Sequence, residues 1–453
     1  MGKVSVEHNS LTRRVLSAMG LFGSVEVLTM LCAVVRTKLV AVFIGVSGVG
    51  LLGLFTTAVE LLSTLVQMGI RTTAVRSIAS SSGSEREVTV ASVIKLGKIL
   101  ACTGILLTIA ASPLLSKLTF GSTEHAWAFV TLSLAVGCNT MVSSQSAVLQ
   151  GEKKLSAIAK ASVVSAIISL AISVPLIVYL QINGVIPILL SYSIVTYVVY
   201  TLVSQRKRTL PTVQISQVKE RAQVMIKLGA FLTASSGATW LANYLMMSYF
   251  NKVGGDELMG LYQTGYTLSV KYVGVVFTAM SLEYFPRLTS ALSSGVKRGQ
   301  TMLRHETFVA VSVIAIVGIA MILLAPWIVN ILYSSSFSDV VPMVVLASPG
   351  LVLRAVSWAM AFTILALGKG KMFFITESCS CLTSLIAMIA GYELGGLAGI
   401  GIGFTAWYAV YTLIVWWCAR QYLSITLGLK LWSYTVVIFT AMCLVSTARV
   451  NFL

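Results

Sequence analysis

The chain has 453 residues, of which 57% are hydrophobic and only 10% charged. Soluble domains carry roughly 25% charged residues, so this composition excludes a water-faced globular protein and requires an apolar solvent. The formal net charge of +17 would suggest nucleic acid on a soluble chain, but here it gathers between apolar runs, where it sets topology, and no nucleic-acid partner is expected.

A helix needs about 20 apolar residues to cross a hydrocarbon core of ~30 Å. Runs of that length predict spans near 15–35, 45–70, 96–116, 126–149, 158–180, 185–204, 228–250, 258–283, 306–332, 340–367, 372–392 and 397–419, with a weaker thirteenth at 431–448. Backbone groups must close their hydrogen bonds inside each segment, which makes these spans helices. Unbroken runs, rather than alternating ten-residue stretches, argue against a membrane β-barrel. The N-terminal stretch Met1–Arg14 is polar and the first apolar run lacks a convincing cleavage site, so it reads as a retained helix and not a signal peptide.

Loop charge tests this map. With the N-terminus inside, nearly all Lys and Arg fall on inside segments, and only Arg36, Lys38, Lys117, Lys252 and Arg449 fall outside. The positive-inside bias acts loop by loop, and one missed helix would scramble it. The chain also repeats itself. Gly53-Leu54-Phe55-Thr56-Thr57 resembles Gly260-Leu261-Tyr262-Gln263-Thr264, Gly151-Glu152-Lys153-Lys154 resembles Gly368-Lys369-Gly370-Lys371, and Val199-Tyr200-Thr201-Leu202 matches Val410-Tyr411-Thr412-Leu413, each pair about 210 residues apart. The expectation is an all-α polytopic membrane protein of two six-helix bundles, related by a pseudo-two-fold along the membrane normal with a path between them. The lobes are 1–204 and 228–420, joined by a basic cytoplasmic connector at 205–227 and followed by an additional helix at 431–448.

Polar residues inside spans are expensive and mark cavities or partners. In the first span Glu26, Thr29, Ala33 and Arg36 share a helical face. Gly48-Val49-Gly50-Leu51-Leu52-Gly53 fits GxGxxG, but dinucleotide binding needs a preceding strand, and this copy opens a membrane helix, where small residues serve close packing. In the second span Thr56, Glu60, Ser63/Thr64 and Gln67 form one polar stripe. The seventh lines up Ser236, Thr239/Trp240 and Asn243, and the eighth Gln263, Thr267 and Lys271. Repeat symmetry sets Glu60 and Lys271 about one turn apart in depth, where they face a shared axis or simply pair. Arg354 follows Pro349-Gly350 in the tenth span, and a helix broken by proline beside an intramembrane arginine points to a binding site. An arginine there holds phosphate oxygens bidentately, or pairs with a structural carboxylate such as Glu377. Tyr262, Tyr266 and Trp240 read more readily as packing or interface aromatics than as sugar platforms. Cys32, Cys102, Cys138, Cys379, Cys381, Cys418 and Cys443 read as small apolar residues, with no CxxC pair and no metal site. His8, His125 and His305 lie far apart, no catalytic constellation stands out, and no enzyme is expected.

Phe43-Ile44-Gly45, Gly48 through Gly53, Gly69-Ile70-Arg71 and Arg76-Ser77-Ile78-Ala79 resemble the Wzx-type lipid-linked oligosaccharide flippases. These form the polysaccharide-transport branch of the multidrug/oligosaccharidyl-lipid/polysaccharide (MOP) exporter superfamily. Met259-Gly260-Leu261-Tyr262-Gln263 leading to Tyr284-Phe285-Pro286-Arg287-Leu288, and Leu351 to Lys371 with Phe374-Ile375-Thr376-Glu377, resemble the same family. The resemblance spans roughly residues 15–420, and the apolar segment 431–448 departs from it. It implies a cation-lined cavity and alternating access. The cargo would be a polyprenyl (undecaprenyl) pyrophosphate-linked oligosaccharide, an O-antigen, common-antigen or capsule repeat unit, carried from the cytoplasmic to the periplasmic leaflet of a bacterial inner membrane during lipopolysaccharide or related polysaccharide synthesis. By position Arg36, Lys271 and Arg354 would hold the pyrophosphate, with Glu26, Glu60, Gln67, Asn243, Gln263 and Glu377 lining the cavity. No cofactor is implied beyond H⁺ or Na⁺ coupling, and the implied state is a monomer. Its partners would be membrane lipids, a polysaccharide polymerase and a chain-length regulator. The alternative is a multidrug/cation antiporter of the same superfamily, which should present a net acidic lumen.

Overall fold

The structure, a computed structural model, describes residues 25–204, 211, 215–423 and 425–451. The beginning of the first predicted span and residues 205–210 and 212–214 of the predicted connector lie outside these. No strand occurs among the described residues. Helix α1 covers 25–43. It is followed by α2 (Val46–Gln67), α3 (Ile70–Ser80), α4 (Gly83–Phe120), α5 (Ala126–Gly151), α6 (Leu155–Leu180), α7 (Val185–Ser204) and α8 (Ile215–Tyr266). A π-helical turn, Thr267–Tyr272, leads into α9 (Val273–Ser293), and then come α10 (Val296–Leu332), α11 (Val341–Ala366), α12 (Gly370–Leu423) and α13 (Leu429–Asn451).

Among the described residues, eight helical stretches are long and apolar enough to cross a bilayer. Leu155–Ser204 has 50 residues and Gly370–Leu423 has 54, more than twice the ~20 that one crossing takes. Each is a hairpin. The first turns at Gln181, with φ 48°, and α6 packs along α7. The second turns at Gly395 and Gly396, and Trp407 Nε1 donates to Ser380 Oγ at 3.0 Å across it. Helix α8 bends the same way at Gly255, φ 67°, so that Asn243 Nδ2 donates to Tyr266 Oη at 2.8 Å. The predicted spans 228–250 with 258–283, and 372–392 with 397–419, are therefore the arms of two hairpins.

Two compact units form. Of the described residues, one holds 25–44 and those within 51–240, and the other holds 45–50 and those from 241 onward. In the first, α3 is an amphipathic helix that the apolar-run reading missed, because its basic face dilutes its hydropathy. Ile70, Ala74 and Ile78 recur every four residues and pack on Val90, Val93 and Ile94 of α4 and on Val218, Ala222 and Met225 of α8. The later part of the predicted connector is thus helical and anchored in a core. In the second unit Gly50 of the GxGxxG run serves close packing: a Cβ on it would lie 2.7 Å from the Asp256 carbonyl oxygen and the Gly260 nitrogen. Helix α13 packs on α10 and α11 and is an integral part of this unit.

The repeat is visible in the hydrogen bonds. Thr57 Oγ1 donates to Gly53 O and Thr264 Oγ1 to Gly260 O, both at 2.9 Å. Thr201 Oγ1 donates to Tyr197 O at 2.7 Å, and Thr412 Oγ1 to Tyr408 O at 2.6 Å. The turns after α5 and α11 correspond bond for bond. Glu152, Lys153 and Lys154 donate to Val148, Gln150 and Leu149, as Leu367, Gly368 and Lys369 donate to Thr363, Leu365 and Ile364. Lys153 and Gly368 are therefore equivalent, with φ 61° and 69°, which corrects the sequence pairing of Gly151 with Gly368 by two residues. A left-handed conformation costs a residue with a Cβ roughly 1–2 kcal/mol. Lys153→Gly should stabilise the protein and Gly368→Ala destabilise it, each by about 1 kcal/mol. Thermal unfolding in one detergent measures both, and opposite signs are required.

Candidate functional site

Arg36 of the first unit and Arg354 of the second, both within helices, are held differently. In the first unit α1 runs through residue 43, so Arg36 is not beyond the end of the span, as the predicted 15–35 had it. It sits about 10 Å before that end at 1.5 Å per residue. Its guanidinium lies 5.0 Å from the Tyr192 ring centroid. Its Nε is buried without a hydrogen-bond partner. Thr29, Cys32, Ala33 and Arg36 of α1, with Ser169 of α6 and Tyr192 of α7, line a cavity of about 40 Å³. The predicted stripe on α1 thus faces one cavity from Thr29 to Arg36, whereas Glu26 is exposed. On α2, Thr56, Glu60, Thr64 and Gln67 are half-buried along one side, and Tyr192 is within electrostatic reach of Arg36, Glu60 and Glu26.

In the second unit the sequence leads to expect a break at Pro349, but α11 runs continuously from Val341 to Ala366. Gly350 serves contact instead, because a Cβ there would lie 2.8 Å from Thr405 Cα. The irregular backbone is in the neighbouring segment, the π-helical turn Thr267–Tyr272. A π turn widens the helix and leaves carbonyls poorly paired. Arg354 meets them: its Nη1 donates to Ser269 O at 3.3 Å and Val270 O at 3.1 Å. The guanidinium also lies over Phe277 at 4.9 Å and Tyr408 at 5.9 Å. Among the described residues it makes no ion pair with a carboxylate.

Glu377, the acid that the sequence offered as a partner for Arg354, is taken by Tyr411, whose Oη donates to its carboxylate across the α12 hairpin. The equivalent tyrosine of the first unit, Tyr200, bonds Ser162 at 2.9 Å, so the second unit has a carboxylate where the first has a hydroxyl. Gln263 is buried and its Nε2 donates to Thr267 Oγ1 at 3.4 Å. Asn243 is engaged with Tyr266, which lies within electrostatic reach of Arg354. Lys271 is exposed on the π turn and has an interaction partner of its own. The second unit therefore gathers Arg354, Tyr266, Tyr408, Glu377 and Tyr411 into one polar network within an otherwise apolar helix packing. The two tyrosines at 408 and 411 and the π turn are additions that sequence reasoning lacked. The residues of the turn, Thr-Leu-Ser-Val-Lys-Tyr, include neither proline nor glycine to signal it.

Several known proteins share this architecture. The family model described as polysaccharide biosynthesis protein matches residues 16–292. No curated protein sequence matches the chain. An inward-facing multidrug resistance MATE family transporter of the MOP superfamily is similar in structure with a TM-score of 0.74 at 16% identity, over 87% of this chain and 94% of that one. The lipid II flippase MurJ, in an inward closed conformation, gives 0.70 at 14% identity over 94% and 98%. A MOP superfamily transporter from Pyrococcus furiosus, described as having a binding pocket of reverse polarity, gives 0.64 at 15% identity over 90% and 95%. At these identities the likeness is one of fold, that of a multi-pass helical membrane protein.

An unpaired carbonyl in a buried site costs about 1–3 kcal/mol. Arg354→Met should therefore lower stability by about 1–3 kcal/mol, with Arg354→Lys losing less because one donor survives. Thermal unfolding of both in detergent reads this, and an unchanged Tm for Arg354→Met would remove Arg354 as the cap of the π turn.

Proposed function

We propose that this chain, which belongs to the polysaccharide biosynthesis protein family, is a flippase. Its cargo is a polyprenyl pyrophosphate-linked oligosaccharide, moved by alternating access from the cytoplasmic to the periplasmic leaflet of a bacterial inner membrane. A pyrophosphate cannot enter hydrocarbon alone, because burying an unpaired charge there is prohibitive. Fixed cations in a polar cavity offset that cost while the lipid tail remains in the bilayer.

The observation that carries this reading is the state of the two arginines. A cation kept inside a membrane protein is usually paired or faces a wet cavity. Neither Arg36 nor Arg354 is in an ion pair among the described residues. Arg36 keeps a buried donor unused beside a small cavity, and Arg354 has only its Nη1 committed to backbone. Arginine's planar fork suits phosphate oxygens. Lys271, the residue after Val270, whose carbonyl Arg354 binds, is the third cation proposed to hold pyrophosphate. Glu60, Gln67 and Glu26 in the first unit and Glu377, Gln263 and Asn243 in the second are the polar groups proposed to line the path in each, and a carboxylate among them is the proposed site of H⁺ or Na⁺ coupling. The antiporter alternative expects an acidic lumen, which these unpaired arginines oppose.

The test is glycan display in a strain lacking the gene, complemented with variants. Charge-assisted hydrogen bonds are worth about 1.5–3 kcal/mol each. Arg36→Gln and Lys271→Gln should accordingly lower display roughly 10- to 100-fold, with lipid-linked oligosaccharide trapped in the inner leaflet and the protein inserted normally. Arg354→Lys, which keeps charge but loses the fork, should fall between these and the wild type. Undiminished display from Arg36→Gln and Lys271→Gln would sink the assignment. Normal display in the deletion strain itself, with heightened drug sensitivity, would favour the antiporter.

A further inference from the structure

At the far end of the second unit from its π turn, α9 and α10 meet around an open hollow of about 570 Å³ that the transport reading does not use. Its charged lining is Arg287 of α9 with Lys297, Arg298 and His305 of α10, and Met302 and Ala291 give it an apolar floor. Arg287 is bonded to Glu283, and His305 lies 3.8 Å from Glu306. Lys297 and Arg298 are in no ion pair among the described residues. The hollow also receives the N-terminal turn of α10, a 37-residue helix whose N-cap, Gly295, supplies no side-chain acceptor. Free N–H groups and the helix dipole there add to the positive field.

The surface below the hollow decides what kind of anion fits. Thr301 and His305, which line it, begin a stripe on α10 that continues through Phe308, Ile316, Ile319 and Leu323 at helical spacing. These four are 48%, 69%, 43% and 50% exposed; the Phe308 ring rests on one side against Tyr434 of α13, 4.9 Å between centroids. A soluble phosphate compound would use the hollow and leave the stripe idle. A molecule with a phosphate head and hydrocarbon tails would use both, the head among Lys297, Arg298 and Arg287 and the tails along Phe308 to Leu323. Basic pockets at the polar ends of membrane helices are a recurring way of holding anionic lipid headgroups.

We propose that the hollow between α9 and α10 holds the phosphodiester headgroup of an anionic phospholipid, with its acyl chains laid along the exposed face of α10. This site lies apart from the proposed transport site and does not depend on that function. The head is held by the unpaired ammonium of Lys297 and guanidinium of Arg298, and Arg287 shares its charge between Glu283 and the lipid.

The experiment uses the purified full-length chain in detergent, with phosphatidylglycerol and phosphatidylethanolamine added together and bound lipid counted by native mass spectrometry. The wild type should retain phosphatidylglycerol preferentially. A basic side chain near an anionic headgroup is worth about 1 kcal/mol, so Lys297→Gln and Arg298→Gln should each weaken retention about fivefold, and the double variant about 25-fold. Phosphatidylethanolamine binding should not move, and neither should Lys117→Gln, an exposed cation on another helix end. Millimolar inorganic pyrophosphate should leave the lipid in place. All the substituted side chains are exposed, and should the double variant aggregate, the two single variants decide. Wild-type retention in both single variants overturns the site. Displacement of the lipid by pyrophosphate assigns the hollow to soluble phosphates and overturns the lipid, and an equal loss in Lys117→Gln reduces the effect to diffuse surface charge.

Discussion

Inside a bilayer no water is available for a backbone N–H or C=O, so each group must find a partner within the chain. This constraint explains where the structure is regular and where it departs from regularity. The hairpin turns at Gly255 and Gly395–Gly396 fall near the ends of the predicted spans, where backbone groups can reach water. The irregular π turn falls inside a span, and there a side chain from another helix closes the bonds. Arg354 donates from α11 into that turn. Helix α11 in turn accepts from its neighbours, with Thr405 and Thr412 donating to Leu346 O and Leu353 O at 3.0 Å and Tyr284 to Ala359 O at 3.1 Å. The most enclosed helix of the second unit is thus tied to α9, α12 and the π turn by side chain-to-backbone bonds.

Much of the fold was legible because hydropathy reports the same constraint. A segment that must be solvated by lipid has to be apolar over a fixed length, and the spans from 126 to 451 coincide with helices to within a few residues apart from fused or extended ends. What hydropathy could not report is geometry with no compositional cost. The π turn consists of ordinary helix formers, and α3 buries only Ile70, Ala74 and Ile78 on one side while its other side is basic. Pro349 misled in the opposite direction. Proline removes one donor, but a helix buried among neighbours that bond its carbonyls tolerates it, and α11 passes through unbroken. The first predicted span stopped at 35, whereas α1 continues to residue 43 and takes in Arg36.

The candidate site was legible in its residue types and much less in its pairings. Intramembrane Arg36, Lys271, Arg354 and Glu377 stand out by cost alone. Their partners depend on how helices rotate against one another, and no periodicity encodes that. Repeat symmetry came nearest to doing so. Once Tyr200 and Tyr411 are taken as equivalents, Ser162 and Glu377 follow as the groups they bond. The comparison shows where the second unit has departed from the first: a neutral hydroxyl in one and an acid in the other, on the same scaffold of tyrosine-to-helix bonds.

The same departure bears on how one arginine can serve both structure and the transport role proposed for it. A guanidinium has five N–H donors set in a rigid plane, and at Arg354 the Nη1 edge is spent on two carbonyls. Those bonds fix the plane, with Phe277 and Tyr408 against the guanidinium. A carboxylate close to it would neutralise the charge and occupy the other edge. Glu377 is held instead by Tyr411, on the other arm of the α12 hairpin. The tyrosine bond therefore does two things at once: it satisfies a buried acid, and it withholds that acid from the arginine. A cation oriented by backbone and left without a counter-charge is in the state that an incoming phosphate group requires, because little reorganisation remains to be done when the anion arrives.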